Sequence, residues 1–360
     1  MNQSFYNIVK ELNQGVDEKK KLEELKEALK NTIHNDVNSA LSICCDGIDL
    51  ASYLQSKTDI AYFKLIKGVC SSLLSQNDTA EELILEAIQN YEEIRDVRGL
   101  ASSWLNLSMV YINCKDFKKA LNCCMKSSKY NSIAGNLSIK GTLLNNFGAI
   151  YFSIEDYKKA LKYFLESVKV SKELNDTGNL ERCFANIGLI YKNLKDYKNA
   201  LKYYDLALEI AEELNDGLKK ANIYQNLSDL YYSTNELVRS LEFCDKSIAL
   251  YENLGNKARL ASNYLFKGKI YNRTGNTYEA LTQCNLSLLI WDKLKDENGI
   301  SETKCLLAEL YFKSGNIDKA VNLAYDSILL AQRNNLKNIL FTNFEFLSNV
   351  FSQKKDFEIA

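Results

Sequence analysis

The chain repeats itself every 40 residues, and that period restricts the possible fold more than any other feature. Segments beginning at Tyr111, Tyr151, Tyr191, Tyr231, Tyr271, Tyr311 and Phe351 each open on an aromatic residue. Nine positions on stands a small one: Ala120, Ala160, Ala200, Ser240, Ala280, Ala320 and Ala360. An aliphatic residue follows at Leu121, Leu161, Leu201, Leu241, Leu281 and Val321. A second small column precedes the aromatic by three positions: Ser108, Gly148, Gly188, Ser228, Gly268, Ala308 and Ser348. A third runs through Ser127, Ser167, Ala207, Ser247, Ser287 and Ser327. A unit this short cannot bury its own apolar face, so it must stack on its neighbours.

Each unit reads as two helices. A first helix over 180–193 places Phe184, Ile187, Gly188 and Tyr191 on one face at i, i+3, i+4 and i+7. Asp196 suits an N-cap, and the same place holds Asp116, Asp156, Asn316 and Asp356. The second helix then buries Ala200, Leu201, Tyr204, Ala207 and Leu208. Asn215-Asp216-Gly217 stops it, as Asn175-Asp176-Thr177-Gly178 and Gly255-Asn256 stop its neighbours.

These columns resemble the tetratricopeptide repeat. That family's succession of large residue, Leu-Gly, Tyr, Ala, aromatic and Ala is met by Leu144, Phe147-Gly148, Tyr151, Ala160, Phe164 and Ser167. It is met again by Phe184, Ile187-Gly188, Tyr191, Ala200, Tyr204 and Ala207. The resemblance implies an all-α fold, a right-handed superhelical solenoid of antiparallel helix pairs, here with about eight complete repeats and a truncated ninth. The long period is similar to that of Pins-type and kinesin-light-chain-type arrays and of repeat-bearing input regions in bacterial signalling proteins. Most repeats of the family end the second helix with proline; here that place holds Lys172, Glu212, Glu252 and Asp292. The chain has no proline at all, where usage of about 5% would supply roughly 18. The second helix is therefore expected to run on for about a turn and bury Leu174, Leu214, Leu254 and Leu294.

The register divides the chain into four stretches. Residues 1–16 read as a capping helix on the stripe Phe5, Ile8, Val9 and Leu12. Residues 17–96 hold two divergent repeats, 97–336 six regular ones, and 337–360 a ninth cut short. In the divergent part the second helices are clear over 40–54 and 80–94. Lys64 and Lys67 stand where apolar residues belong, and a one-residue slip onto Phe63, Ile66 and Cys70 restores the pattern. After Phe344, Leu347 and Phe351 a further helix begins at Asp356 and stops at Ala360. A solenoid needs a polar cap, so the array is expected to continue into a C-terminal output domain.

Chemistry is sparse. Basic and acidic residues balance at 45 and 46, which gives no electrostatic reason to expect a nucleic-acid or anionic-membrane partner. The first residues lack a signal peptide's basic and apolar regions, and no apolar run reaches the ~18 residues of a spanning helix. A cytoplasmic location is expected. No Cys-x-x-Cys occurs and His34 is the only histidine, so neither a metal nor another cofactor is expected. His34 falls in a turn and reads as solvated. Cys44, Cys124, Cys244 and Cys284 share one column and read as small core residues, and the doublets Cys44-Cys45 and Cys123-Cys124 suggest no redox motif. Trp104 and Trp291 fall in core columns. With no phosphate loop, nucleophile elbow or paired ligand motif, an enzyme within these residues is not expected.

The informative column faces the concave side. It reads Asn106, Asn146, Asn186 and Asn226, then Phe266, Leu306 and Phe346. An amide can pair with both N–H and C=O of a bound backbone, so successive asparagines form a sequence-tolerant ladder for an extended peptide. The resemblance implies the same, since related arrays use asparagines here. The alternative is that these amides bond adjacent helices to one another. Arg182, Lys192, Asn222, Gln225, Asp229 and Tyr232 flank the ladder as a polar wall, and Leu265, Phe266, Leu306, Phe312 and Phe346 are expected to make its C-terminal part apolar. The expected function is a protein- or peptide-binding scaffold serving as the input region of a larger signalling protein. A stand-alone regulator resembling the quorum-peptide receptors, or a passive assembly scaffold, are the alternatives.

Overall fold

The computed structural model describes residues 18–33 and 36–354. The N-terminal stripe Phe5, Ile8, Val9 and Leu12, the turn residue His34, and the helix start from Asp356 to Ala360 lie outside the described residues. Among the described residues there are seventeen α-helices and no strand, and the fold is an all-α repeat solenoid. Tertiary contacts divide the chain into two compact units, Met1–Ile190 and Tyr191–Ala360. The first holds α1 (Glu18–Thr32), α2 (Val37–Tyr53), α3 (Lys57–Leu73), α4 (Asn77–Ile94), α5 (Val97–Asn113), α6 (Phe117–Ala134), α7 (Leu137–Ser153), α8 (Tyr157–Glu173) and most of α9 (Thr177–Asn193). The second continues with α10 (Tyr197–Glu213), α11 (Gly217–Ser233), α12 (Leu237–Asn253), α13 (Lys257–Arg273), α14 (Thr277–Leu294), α15 (Glu297–Lys313), α16 (Ile317–Arg333) and α17 (Lys337–Lys354).

One linker recurs throughout. From Gln55 to Asn335, a residue with positive φ stands every 20 positions; four of these fifteen residues are glycine and eleven are not. Each ends a helix in the left-handed region, and the next residue begins the following helix. That next residue is shared by two motifs. Its N–H closes the ending helix, as Asp156 donates to the Tyr151 carbonyl at 2.9 Å. In most linkers its side chain also caps the new one, as the Asp156 carboxylate accepts from the Lys159 N–H at 3.1 Å. Ser56, Gln76, Glu236 and Leu336 make no such bond. Neither linker position admits proline: one needs positive φ and the other needs its N–H.

This linker corrects three expectations. The helix expected over 180–193 starts at Thr177, because Asp176 caps it through the Asn179 N–H at 2.9 Å. Asn175, at φ 52°, is what stops α8, and Asp176 starts α9 instead of helping to stop its predecessor. The second helices do not gain a turn. α8, α9, α10 and α11 are each 17 residues long, and two such helices with two three-residue linkers make the period of 40. Leu174, Leu214 and Leu254 are C-cap residues, and with Leu294 they stay 37%, 41%, 48% and 41% exposed rather than buried.

The divergent region also keeps its register without a slip. α3 places Ala61 and Gly68 in the same small columns as Ala101 and Ser108 of α5, and Phe63, Leu65 and Cys70 are buried beside them. Lys64 points outward and pairs with Glu86 at 2.6 Å.

Packing follows the small columns. In the first unit the Ser127 and Ser167 hydroxyls donate to the Ala101 and Gly141 carbonyls at 2.7 and 2.8 Å. In the second, Ser247, Ser287 and Ser327 donate to the Ala221, Ala261 and Ser301 carbonyls at 2.9, 2.8 and 2.7 Å. All five hydroxyls are buried, so smallness brings the helices close and the hydrogen bond keeps the hydroxyl satisfied. A Cβ on Gly148 would lie 2.8 Å from the Phe164 ring. Cys44 and Cys124 in the first unit, and Cys244 and Cys284 in the second, are fully buried within this packing. Trp104 and Trp291 are buried in the cores of their own units.

Candidate functional site

In the first unit the first helices of successive pairs line a trough of ≈ 670 Å³. Its floor is apolar, from Ile33 on α1's end, Tyr62, Ile66 and Val69 on α3, and Ile139 on α7. Lys26 and Asp59 pair at 2.7 Å on its rim. Asn106 is the one expected ladder residue on this rim, and its amide donates to the Ser102 carbonyl of its own helix at 2.9 Å.

The other two asparagines of this unit link successive first helices. Asn146 donates to the Ser108 hydroxyl at 3.1 Å, and Asn186 to the Asn145 side-chain oxygen at 3.2 Å. Asn145 donates in turn to Asn179 at 3.2 Å, and Asn179 to the Ser167 and Ser171 hydroxyls at 3.1 and 2.6 Å. Arg182 also ends on the Asn179 oxygen, at 2.5 Å. Asn145 and Asn179, only 3% and 5% exposed, are the centre of this network, and the column pattern did not single them out. The available signal was a polar residue in a column whose other members include Leu105 and Leu265.

In the second unit Asn226 is half-buried on α11, with no side-chain hydrogen bond among the described residues. Its neighbours are committed. The Tyr251 hydroxyl donates to Asn222 at 2.6 Å and lies 3.4 Å from the Gln225 oxygen, and Lys192 pairs with Asp229. Tyr232 meets the Phe266 ring edge-on at 5.4 Å, with the Arg273 guanidinium 4.7 Å above its own ring.

Tyr232 and Arg273 stand at one end of a groove of ≈ 820 Å³. Leu306, Ile339 and Phe346 give it an apolar floor, and Phe312 supports Phe346 edge-on at 5.7 Å. The walls are charged, and four of those charges are matched in pairs. Lys269 pairs with Glu302 at 2.7 Å, and Lys313 with Glu309 at 2.7 Å. Asn272 accepts from Lys313 at 2.8 Å and donates to Glu309 at 3.1 Å. Asn338, Asn349 and Glu345 line the same space with no side-chain hydrogen bond or ion pair among the described residues. Burial pushes the Cys305 thiol at its edge up to about 11.

The expected apolar C-terminal face is corrected in part. Leu265 is a buried core residue and Phe266 is half-buried against Tyr232, while Leu306 and Phe346 do reach the groove, between charged walls. The more apolar lining belongs to the first unit's trough, because the divergent α3 carries Tyr62, Ile66 and Val69 there. No helix of the described residues is long and apolar enough to cross a membrane, and none of their His, Cys, Asp and Glu residues gather in threes as a metal site would need.

A tetratricopeptide repeat family model matches residues 99–173 and 176–253. No curated protein sequence matches the chain. Among solved structures, the apo quorum sensor NprR from B. thuringiensis superposes with a TM-score of 0.68 at 16% identity, over 94% of this chain and 94% of that one. NprR in complex with its cognate peptide NprX gives 0.57 at 17% identity, over 82% and 85%. A Rap protein complexed with Competence and Sporulation Factor gives 0.65 at 13% identity, over 94% and 98%. A signal transduction ATPase with a tetratricopeptide repeat sensor, from Pyrococcus horikoshii, gives 0.63 at 16% identity, over 95% of this chain and 55% of that one.

Proposed function

We propose, taking as premise that this chain is a tetratricopeptide-repeat solenoid, that it is a binding module holding an extended peptide or protein segment on its first-helix faces. The groove of the second unit carries the reading. Four of its charges are already paired within the protein, Lys269 with Glu302 and Lys313 with Glu309, so a ligand need not neutralise those. What it offers is an apolar floor at Leu306 and Phe346 and two uncommitted amides, Asn338 and Asn349. Those groups suit a side-chain anchor and a backbone amide pair. In the second unit Asn226 is also uncommitted; in the first unit, taken by itself, Asn106 lines its own trough, and Asn146 and Asn186 hold first helices together while leaving their oxygens as acceptors. Arg182, Asn222, Gln225, Tyr232 and Phe266 then act mainly by fixing the surface around those amides. NprR, solved with its peptide, supports the ligand class.

The test is selection from a random octapeptide library on the immobilised protein. Peptides that enrich are expected to bind Phe346→Ala and the double variant Asn338→Ala/Asn349→Ala about tenfold more weakly or worse, since two lost hydrogen bonds and one apolar contact are worth ~1 kcal/mol or more each. Unchanged affinity in both variants overturns the assignment.

The signalling context extends this reading. The Pyrococcus horikoshii ATPase joins a similar array to further domains, which favours a regulatory input region with its own output domain. The likeness to Rap and NprR over 98% and 94% of their chains favours a stand-alone regulator instead. Reading the gene beyond the codon for Ala360 separates them: an in-frame catalytic or DNA-binding domain supports the first, and an immediate stop the second.

A further inference from the structure

We propose that the outer face of α4, α6 and α8, second helices of the first unit, pairs with the same face of a second copy of this chain across a two-fold axis along α6. One row of the second helices, from α4 to α16, is exposed in every repeat. On these three helices it holds Leu85, Met125 and Leu165, at 41%, 61% and 38% exposure. In the second unit the row turns to Asp205, Asp245 and Asn285 before Tyr325. The helix pair that carries Met125 has the pair α3–α4 before it and the pair α7–α8 after it, so this side chain is bare in the middle of a stacked unit.

The charges on this face are sorted, although the chain as a whole is balanced. α4 carries six acidic residues and no basic one, α6 four lysines and no acid, and α8 five lysines against two glutamates. Some of them serve the unit itself. Glu81 accepts from the Tyr111 hydroxyl at 2.6 Å, and Glu86 and Glu93 pair with Lys64 and Lys57 at 2.6 and 2.8 Å. Those on the outward stripe are uncommitted. Asp78, Glu82 and Glu92 of α4 are exposed, with no side-chain hydrogen bond or ion pair among the described residues. Lys158, Lys162 and Lys172, at the same three places of the repeat on α8, are exposed and unpaired as well.

This sorting selects the occupant and its orientation. An axis along α6 lays α4 of one copy over α8 of the other in the same direction. Asp78 then meets Lys158, Glu82 meets Lys162 and Glu92 meets Lys172, with Leu85 on Leu165 and Met125 on its own copy. An axis across the helices would set acidic α4 against itself. Lys118 and Lys129 of α6 approach their own copies beside the chosen axis, a cost offset by three opposite-charge pairs that each occur twice. Exposed ion pairs add little strength and chiefly fix the arrangement, so the apolar row supplies the contact. Three helices about 25 Å long and about 10 Å apart present roughly 500 Å² per copy, or roughly 1,000 Å² for the pair. Stable interfaces begin near ~1,200 Å², so a weak dimer is expected, with a Kd on the order of 10 µM.

Sedimentation velocity over roughly 1–100 µM, with no peptide added, tests this. The wild-type protein is expected to pass from monomer to dimer, and to do so less readily in ~1 M salt. Met125→Asp, at an exposed position, is expected to stay monomeric with an unchanged helical circular-dichroism spectrum. Glu82→Lys and Lys162→Glu are each expected to weaken association about tenfold, and the double exchange to restore it. A monomer at all concentrations overturns the proposal, as does a dimer indifferent to Met125→Asp and Glu82→Lys. Failure of the double exchange to restore association overturns the pairing of α4 with α8.

Discussion

Asn179 spends its side chain inside the protein, on two serines, a neighbouring asparagine and an arginine. Removing it strands polar partners in a buried place, so Asn179→Leu is expected to cost about 2–3 kcal/mol in urea unfolding. Asn226→Ala, at an uncommitted amide, is expected to change stability by less than about 0.5 kcal/mol. A comparable cost at Asn226 would show that its amide is structural rather than open to a ligand. The packing glycines act by space alone. Gly148→Val drives a side chain into the Phe164 ring, with an expected loss of about 1–3 kcal/mol. Asn145 and Asn179 escaped the sequence pattern because the period reports where a residue lies on its helix. It does not report which neighbour its polar atoms find.

The linker is the element that repeats most faithfully, and it explains the missing proline better than composition does. Eleven of its left-handed positions are filled by residues other than glycine, which bear a steric cost there. Lys195→Gly, at φ 60°, is expected to raise the denaturation midpoint, with a gain of up to about 1 kcal/mol. A lower midpoint would mean that the lysine side chain contributes more than its backbone costs. Asp156→Ala removes the next helix's cap and is expected to lose about 1 kcal/mol. Four of these linkers are legible as helix starts from Asp116, Asp156, Asp196 and Asn316, whereas those at Asp176, Asp216 and Asn256 read as helix stops, because aspartate and asparagine suit a turn and an N-cap alike. Helical spacing carried past the helix end turns the C-cap residues Leu174, Leu214 and Leu254 inward, whereas Leu294 is the last residue of α14 and is exposed all the same.

Across the whole molecule, burial is the largest influence on the thiols of Cys124, Cys244 and Cys284. It pushes Cys124, Cys244 and Cys284 up to about 12, while Cys114 is exposed. In the native protein a thiol reagent at pH 8 is expected to modify Cys114 far faster than these three, which should react only on unfolding. The same burial predicts alkaline sensitivity. The folded pKa values exceed the unfolded ones, so above about pH 8.5 the unfolded chain loses these protons first, and stability falls as pH rises from there toward 12. Urea midpoints that stay level between pH 8 and pH 10.5 would contradict this.

The amino-acid sequence by itself determined the repeat, its helix pairs and the small columns at which helices meet. It could do so because each of these depends on periodic, local preferences that recur every 40 residues. Which amides are spent and which remain open was decided only by tertiary structure. Asn146 and Asn226 share a column, yet one meets a serine hydroxyl on the preceding first helix and the other meets none among the described residues. The charged walls of the second unit's groove were settled in the same way. A hydrogen bond or a covered ring depends on what a neighbouring helix brings within a few ångströms, and no periodicity within one helix contains that information.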